Sequence, residues 1–257
     1  FNGPRLKDAF DGVETYCMFI GYPRSGHSLV GALLDAHPEM IIAHEFDTLR
    51  FLNLGFNREQ LYYLILENSK RYAKNGREQS GYSYDVPNQW QGKFRKLRVI
   101  GDKKGRHSTQ LAGEDAALFD RLRHMVGVPV KFFHVVRNPY DNIATMSKVR
   151  PGETLQSSME FYFFLCQTIT ELKNRIDGAD ILDIPHESFV ENPKEALARC
   201  CRFLGLDAPE DYLTDSASIV FKSPNLSRHK VTWSPELIST VAERMKAFPF
   251  LQGYTFE

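Results

Sequence analysis

The 257-residue chain has no excess of either charge: 32 lysines and arginines stand against 32 aspartates and glutamates. Proteins that grip long polyanions carry a basic surplus, so nucleic acid is not an expected partner. A small anion held locally stays open. Long hydrophobic runs are also missing. The longest, Phe161 to Leu165, is far short of the roughly 20 apolar residues of a membrane span, so no transmembrane segment is expected. No signal peptide is legible at Phe1, although a trimmed chain would have lost one. Cysteine is scarce. Cys17, Cys166, Cys200 and Cys201 have no C-x-x-C spacing and no other metal pattern. They read as buried free thiols, and no metal is expected. Repeats, low-complexity tracts and dividing linkers are absent too, so residues 1–257 are expected to form a single domain.

What is present is an alternation of strand and helix signals. "TYCMFIG" at 15–21 reads as a short buried strand, followed by a turn at Pro23 and Gly26 and a helix over "SLVGALLDAH". "MIIAHEF" is a second strand and "REQLYYLILENSKRYAK" an amphipathic helix. The stretch from Ser80 to Phe94 holds Gly, Pro, Asn and the aromatics Tyr82, Tyr84 and Trp90; it reads as a loop, and residues 81–94 as a candidate lid. "KLRVIGDK" is a third strand, and "GEDAALFDRLRHMVG" is expected as one helix ending at Gly127. "VKFFHVVR" is apolar almost throughout, as at the centre of a parallel sheet, and Pro139 is well placed to begin a helix. A long helix is expected over roughly 153–176, with Phe161, Tyr162, Phe163 and Phe164 as core. "ADILDIP" is a further strand. Two helices follow, one closed by Gly205 and one opened by Ser234 as N-cap. The fold class is therefore α/β, with a central parallel sheet flanked by helices and a loop like the P-loop after its first strand.

That loop, "GYPRSGHSLVG", carries Gly21 and Gly26 at the spacing of the phosphate loop G-x-x-x-x-G-K-[ST], but His27 stands where the lysine belongs. A loop running into a helix N-terminus offers N–H groups and a positive dipole end to an anion. Its cation here is Arg24. A nucleoside triphosphatase also needs a strand-end acid to hold Mg²⁺, whereas the strongest strand ends in Arg137. Two separate arginines at two strand ends point to a donor with two separated anionic groups and no metal.

At these residues the chain resembles the sulfotransferases that use 3′-phosphoadenosine 5′-phosphosulfate (PAPS) and release adenosine 3′,5′-bisphosphate (PAP). "FIGYPRSGHSL" resembles their 5′-phosphosulfate loop, and "VVRNPYDNIATMSK" their 3′-phosphate motif. "IPHESFVENPKEALARCCRFLGL" and "GDKKGRH" resemble two further blocks, and the four stand in the family's order across residues 16–206. "PRSGHSLVGALLDAHP…HE" is most similar to the tyrosylprotein sulfotransferase branch, where a Glu lies twenty-one residues beyond the loop's Arg; from Arg24 this is Glu45. Departures are His27 for Thr, Thr145 for Ser, His186 for Tyr, and Asp47 where that branch has an Arg.

The resemblance implies a sulfotransferase fold and transfer of a sulfuryl group to an acceptor hydroxyl, or an amine, of a small molecule, carbohydrate, lipid or peptide. Arg24, Ser25, Gly26, His27 and Ser28 would hold the phosphosulfate. Arg137 and Thr145 would hold the 3′-phosphate, with Ser147 as the alternative to Thr145, and His186 would border the adenine. Ser227 and Arg228, with Lys230, would close over the donor. Arg24, Lys103 and Glu45 are the expected catalytic groups. Lys104 is the alternative to Lys103, and His44 and His107 are the alternatives to Glu45 as base. A P-loop kinase or NTPase, or an inactive nucleotide-binding module, are the competing readings. The cysteine usage favours the cytoplasm; a trimmed Golgi-lumenal domain is the alternative.

Overall fold

The computed structural model describes residues 9–79, 81–149 and 151–257. Five strands make the central sheet: β1 (Thr15–Ile20), β2 (Met40–His44), β5 (Val99–Lys103), β6 (Val130–Val136) and β7 (Ile181–Pro185). Their order across the sheet is β2-β5-β1-β6-β7, and every pairing is parallel. β3 (Glu78–Gln79) and β4 (Tyr82–Ser83) form a separate antiparallel hairpin, β3 just before the expected loop and β4 within it.

The alternation of side chains along each strand feeds two cores. Tyr16, Met18 and Ile20 of β1 face one, with Phe132 and Val136 of β6. Cys17 and Phe19 face the other, with Phe133 and Val135. The first core is covered by α3 (Arg58–Lys74), α4 (Gly105–Glu114), α5 (Leu118–Val126), α6 (Pro139–Met146), α7 (Leu155–Lys173) and α11 (Pro235–Met245). The second is covered by α1 (His27–Asp35), α8 (His186–Glu191), α9 (Pro193–Phe203) and α10 (Glu210–Ser218). One short helix, α2 (Thr48–Asn53), follows β2. The parallel strands are buried on both faces, which explains their near-continuous apolar sequences. Gly101 of β5 lies so close to the backbone of Cys17 that a Cβ there would collide with its carbonyl. All four cysteines are buried and free.

Several boundaries follow local chemistry. Asn57 caps α3 by accepting from the Gln60 N–H, and Gln60 returns the bond to Asn57. Ser234 caps α11 through the Leu237 N–H, and Pro139 opens α6. The helix expected over 113–127 is two helices. Asp115 is extended and its carboxylate accepts from the Ala117 N–H, which breaks α4 from α5. α4 itself was not legible, because "GRHSTQLAGE" opens on Gly105, has Gly113 next to its end and sets the weaker helix formers His107, Ser108 and Thr109 together in its first turns. The aromatic run of α7 also divides: Tyr162 and Phe163 are buried, whereas Phe164 is exposed and Phe161 lines a cleft.

Candidate active site

That cleft, of about 710 Å³, opens at the C-terminal ends of the strands. This is where α/β sheets bind their ligands. Backbone that L-residues adopt rarely borders it: Arg24 and Glu45, which line it, have φ of 69° and 53°, and Asp47, two residues on, has φ 73°. Gly26 has φ 104°, and a Cβ there would strike the His186 ring, so only glycine fits. No side chain caps the α1 N-terminus behind it.

The loop's side chains divide between the cleft and the interior. Ser25 is fully buried and donates to the Tyr22 carbonyl at 3.2 Å, so its hydroxyl is turned inward, contrary to the expectation that it faces the anion. His27 also turns inward. Its ring packs beside Gly21 and Gly105 and lies 3.1 Å from Ser25 Oγ and 3.2 Å from the Ile20 carbonyl. Burial, reinforced by Lys103, pushes its pKa down to about 3, so the residue in the lysine position is neutral. Ser28 faces outward: its hydroxyl donates to Gln79 Oε1 (2.9 Å) and accepts from Lys103 Nζ (3.1 Å). Gln79, supplied by the hairpin, carried no sequence signal.

On the β6 side, Arg137 is buried. Its Nη1 donates to the Arg24 carbonyl (3.1 Å) and Thr145 Oγ1 (3.2 Å), and its Nη2 to the Asn225 carbonyl (2.7 Å) and Ser227 Oγ (3.1 Å). The offset of eight residues thus joins Arg137 and Thr145. Ser147 instead donates to the Ala144 carbonyl and does not line the cleft. Asn142 ties α6 to the loop by donating to the Pro23 carbonyl at 2.9 Å. His186 lines the cleft with a buried Nδ1 that has no partner among the described residues. Burial, and then Arg137, hold its pKa at about 3. Arg228 is a correction. Its guanidinium turns into the fold, on Asp141 at 2.5 Å and the Phe256 carbonyl at 2.6 Å, and does not line the cleft. Lys230 does not line it either and donates to Asn225 Oδ1. Tyr82 and Phe221 meet edge to face at 5.3 Å on the rim, while Trp90 lies elsewhere.

On the β5 side, Glu45 is held by two ammonium groups: Lys103 Nζ on Oε1 at 2.5 Å and Lys104 Nζ on Oε2 at 2.9 Å. Burial opposes its ionisation, but the two lysines win and hold its pKa at about 2. Lys103 is almost wholly buried and touches the cleft only through Ser28 and Glu45, whereas Lys104 lines it. The Asp102 carboxylate beneath accepts from the Phe46 and Thr48 N–H groups at 3.1 and 2.8 Å, which fixes the turn carrying Glu45 and Asp47. His107 Nδ1 lies 2.6 Å from Asp47 Oδ2, and His107 lines the cleft. His44, the last residue of β2, does not line the cleft and stacks on Tyr72 at 4.0 Å, while Glu45 has already left the strand with its positive φ. Among the described residues no three His, Cys, Asp or Glu side chains gather as a metal site requires, and no helix is long and apolar enough to cross a membrane.

No protein-family description and no curated protein matches the chain. Solved structures do. Sulfotransferase STF9 from Mycobacterium avium superposes with a TM-score of 0.54 at 12% identity, over 96% of this chain and 79% of that one. The sulfotransferase domain of the Synechococcus PCC 7002 olefin synthase gives 0.52 at 18% identity, over 90% and 88%. Sulfotransferase STF1 from Mycobacterium tuberculosis gives 0.52 at 12% identity, over 94% and 78%. With its parallel five-stranded sheet, its glycine-bounded loop after β1 and these likenesses over nine-tenths of its length, the chain has the sulfotransferase fold.

Proposed function

We propose that this chain transfers a sulfuryl group from PAPS to an acceptor hydroxyl. The observation that carries the reading is Arg137, which bridges the phosphate loop at the Arg24 carbonyl and the hydroxyl of Thr145. One cleft thereby holds two anion positions: the uncapped N-terminus of α1 with Arg24, and the Arg137–Thr145 pair. Two cationic positions that follow two different strands, β1 and β6, suit a donor with a 5′-phosphosulfate and a 3′-phosphate, whereas a linear triphosphate is held along one loop. A neutral, inward His27 fits as well, since a phosphosulfate has no β,γ-phosphates for a lysine to reach.

In the transfer, the acceptor oxygen forms a bond to sulfur as the bond from sulfur to the 5′-phosphate oxygen breaks. The electron pair leaves with PAP and the proton goes to a protein base. Arg24 and Lys103 meet the charge that develops on the departing phosphate. Glu45 is the proposed base. In the cleft without ligand it is a weak one, at about 2, because both of its oxygens hold lysines. Moving Lys103 to the donor's bridging oxygen would free one carboxylate oxygen and remove one of those cations, which raises its basicity. A second reading has its own observation: His107 is oriented by Asp47 as a histidine base is oriented by a carboxylate. On that reading Glu45 only holds the lysines.

Labelled PAPS with a panel of phenols, sugars, hydroxylated lipids and peptides tests the activity; Mg²⁺-dependent ATP turnover instead would overturn it. On any acceptor found, Glu45→Gln should slow transfer by roughly 10²–10⁴-fold, and His107→Ala only several-fold. The reverse order assigns the proton to His107.

A further inference from the structure

The sheet order separates the cleft into two halves. Arg137 and His186 follow β6 and β7, on one side of the phosphate loop. Lys104, Arg106 and His107 lie at the start of α4, after β5, on the other side. α7 packs along α4, and its N-terminal turns add Ser157, Ser158 and Phe161 to the same half, beside Met146 and Val149 from the end of α6. If the 3′-phosphate lies at Arg137, this far half receives the acceptor.

Among the described residues of the far half, most charged groups have partners. Glu45 holds Lys103 and Lys104, and Asp47 holds His107. Glu153, also on the cleft, has an interaction of its own. Arg106 is half-buried on the cleft wall and makes no hydrogen bond or ion pair among the described residues. It stands in the first turn of a ten-residue helix whose N-terminus has no side-chain cap and no acidic residue. Both the dipole and the guanidinium therefore favour an anion. A second, independent feature sits on the facing helix. Ser158 is 3% exposed and lines the cleft, and its hydroxyl has no hydrogen-bond partner among the described residues. Buried hydroxyls rarely go without a partner, so a ligand oxygen is the natural one. Phe161, Met146 and Val149 are apolar residues of the same cleft.

We infer that the acceptor is a hydroxylated acid: an apolar body carrying a carboxylate, which Arg106 and the α4 N-terminus bind and Ser158 joins by a hydrogen bond. The inference takes from the sulfuryl-transfer reading which half of the cleft the acceptor enters. Arg106 is a specificity residue here, since it touches the acceptor's carboxylate and not the reacting atoms.

Equilibrium binding tests this without turnover. The probes are 3-(4-hydroxyphenyl)propanoate and its methyl ester, titrated calorimetrically into the protein with and without saturating PAP. The acid should bind roughly 10- to 100-fold tighter than the ester, as one charge-assisted contact predicts. Arg106→Gln should erase the difference while leaving ester binding, PAP binding and the melting temperature unchanged. Ser158→Ala should weaken the acid by a smaller factor. Equal binding of acid and ester, no binding of either at millimolar concentration, or an acid preference that survives Arg106→Gln would overturn the inference. A loss of PAP affinity in Arg106→Gln as large as the loss of acid affinity would assign Arg106 to the donor and overturn it too. If PAP fails to bind while the acid preference and its dependence on Arg106 persist, the sulfuryl-transfer reading fails and the anion site stands.

Discussion

Replacing Arg137 by Lys keeps the charge and removes the fork. The guanidinium spans the cleft wall: Nη1 reaches the Arg24 carbonyl and Thr145, and Nη2 reaches the Asn225 carbonyl and Ser227. A single ammonium cannot serve both sides and also meet a phosphate in planar, paired fashion. A charge-assisted hydrogen bond contributes about 1.5–3 kcal/mol, so loss of one paired contact should weaken PAP by about 30-fold. AMP, which lacks the 3′-phosphate, should bind the variant and the parent alike. The difference is legible in melting temperature. At a ligand concentration about 100 times the parent's Kd, PAP adds about 2.7 kcal/mol to stability; after a 30-fold loss it adds about 0.9 kcal/mol. For a chain of this size a change of about 2 kcal/mol moves Tm by roughly 4–8 °C. Thermal scans of both proteins with PAP, with AMP and without ligand give the comparison. A PAP shift in Arg137→Lys equal to the parent's, or an equal fall in the AMP shift, would refute the assignment of Arg137 to a 3′-phosphate.

Two further predictions concern stability. Burial holds His27, His44 and His186 at about 3, so between pH 6.5 and 3 the unfolded chain binds protons that the folded chain refuses. Stability should therefore fall as pH falls below about 6.5, by up to about 1.4 kcal/mol per pH unit for each histidine. Asp102, raised to about 6 by burial, works in the opposite direction and offsets one histidine's share between about pH 6 and its ordinary value near 3.8. Glu45, held at about 2, adds its own loss only below its unfolded value near 4.5. Urea midpoints at pH 7, 6 and 5 that do not decline would contradict the burial of these rings. The second prediction concerns the ion pair of Arg77 with Asp35, both buried, which joins the hairpin to the end of α1. Arg77→Met should cost about 3–5 kcal/mol in urea denaturation by leaving the carboxylate unpaired. Adding Asp35→Asn should recover much of that loss.

Much of this architecture is already present in local pattern. The apolar run of β6 announces a central parallel strand because burial on both faces permits no alternation. α3 begins where Asn57 and Gln60 can exchange their hydrogen bonds. The glycines at 21 and 26 mark a loop that only positive φ allows. The offset from Arg137 to Thr145 is a strand end and a helix, a geometry that local rules carry without help. These signals are short-range, and the chain writes them in consecutive residues.

Tertiary structure decided where side chains of like chemistry point and what answers them. Ser25 and Ser28 are both hydroxyls in one loop, yet the curl of the loop buries the first and presents the second. Lys103 and Lys104 are adjacent, and the pleat of β5 puts one beneath the cleft floor and the other on its wall. Arg228, basic and near the donor side, is drawn inward by Asp141, a partner eighty-seven residues away. Asp47 and His107 meet only because β2 and β5 are neighbours in the sheet. Arg106 stands out as a cleft cation without a hydrogen bond or ion pair among the described residues only once its neighbours are seen to be paired. Such pairings depend on strand order and on the desolvation that makes an unmatched charge costly, and neither is a property of consecutive residues.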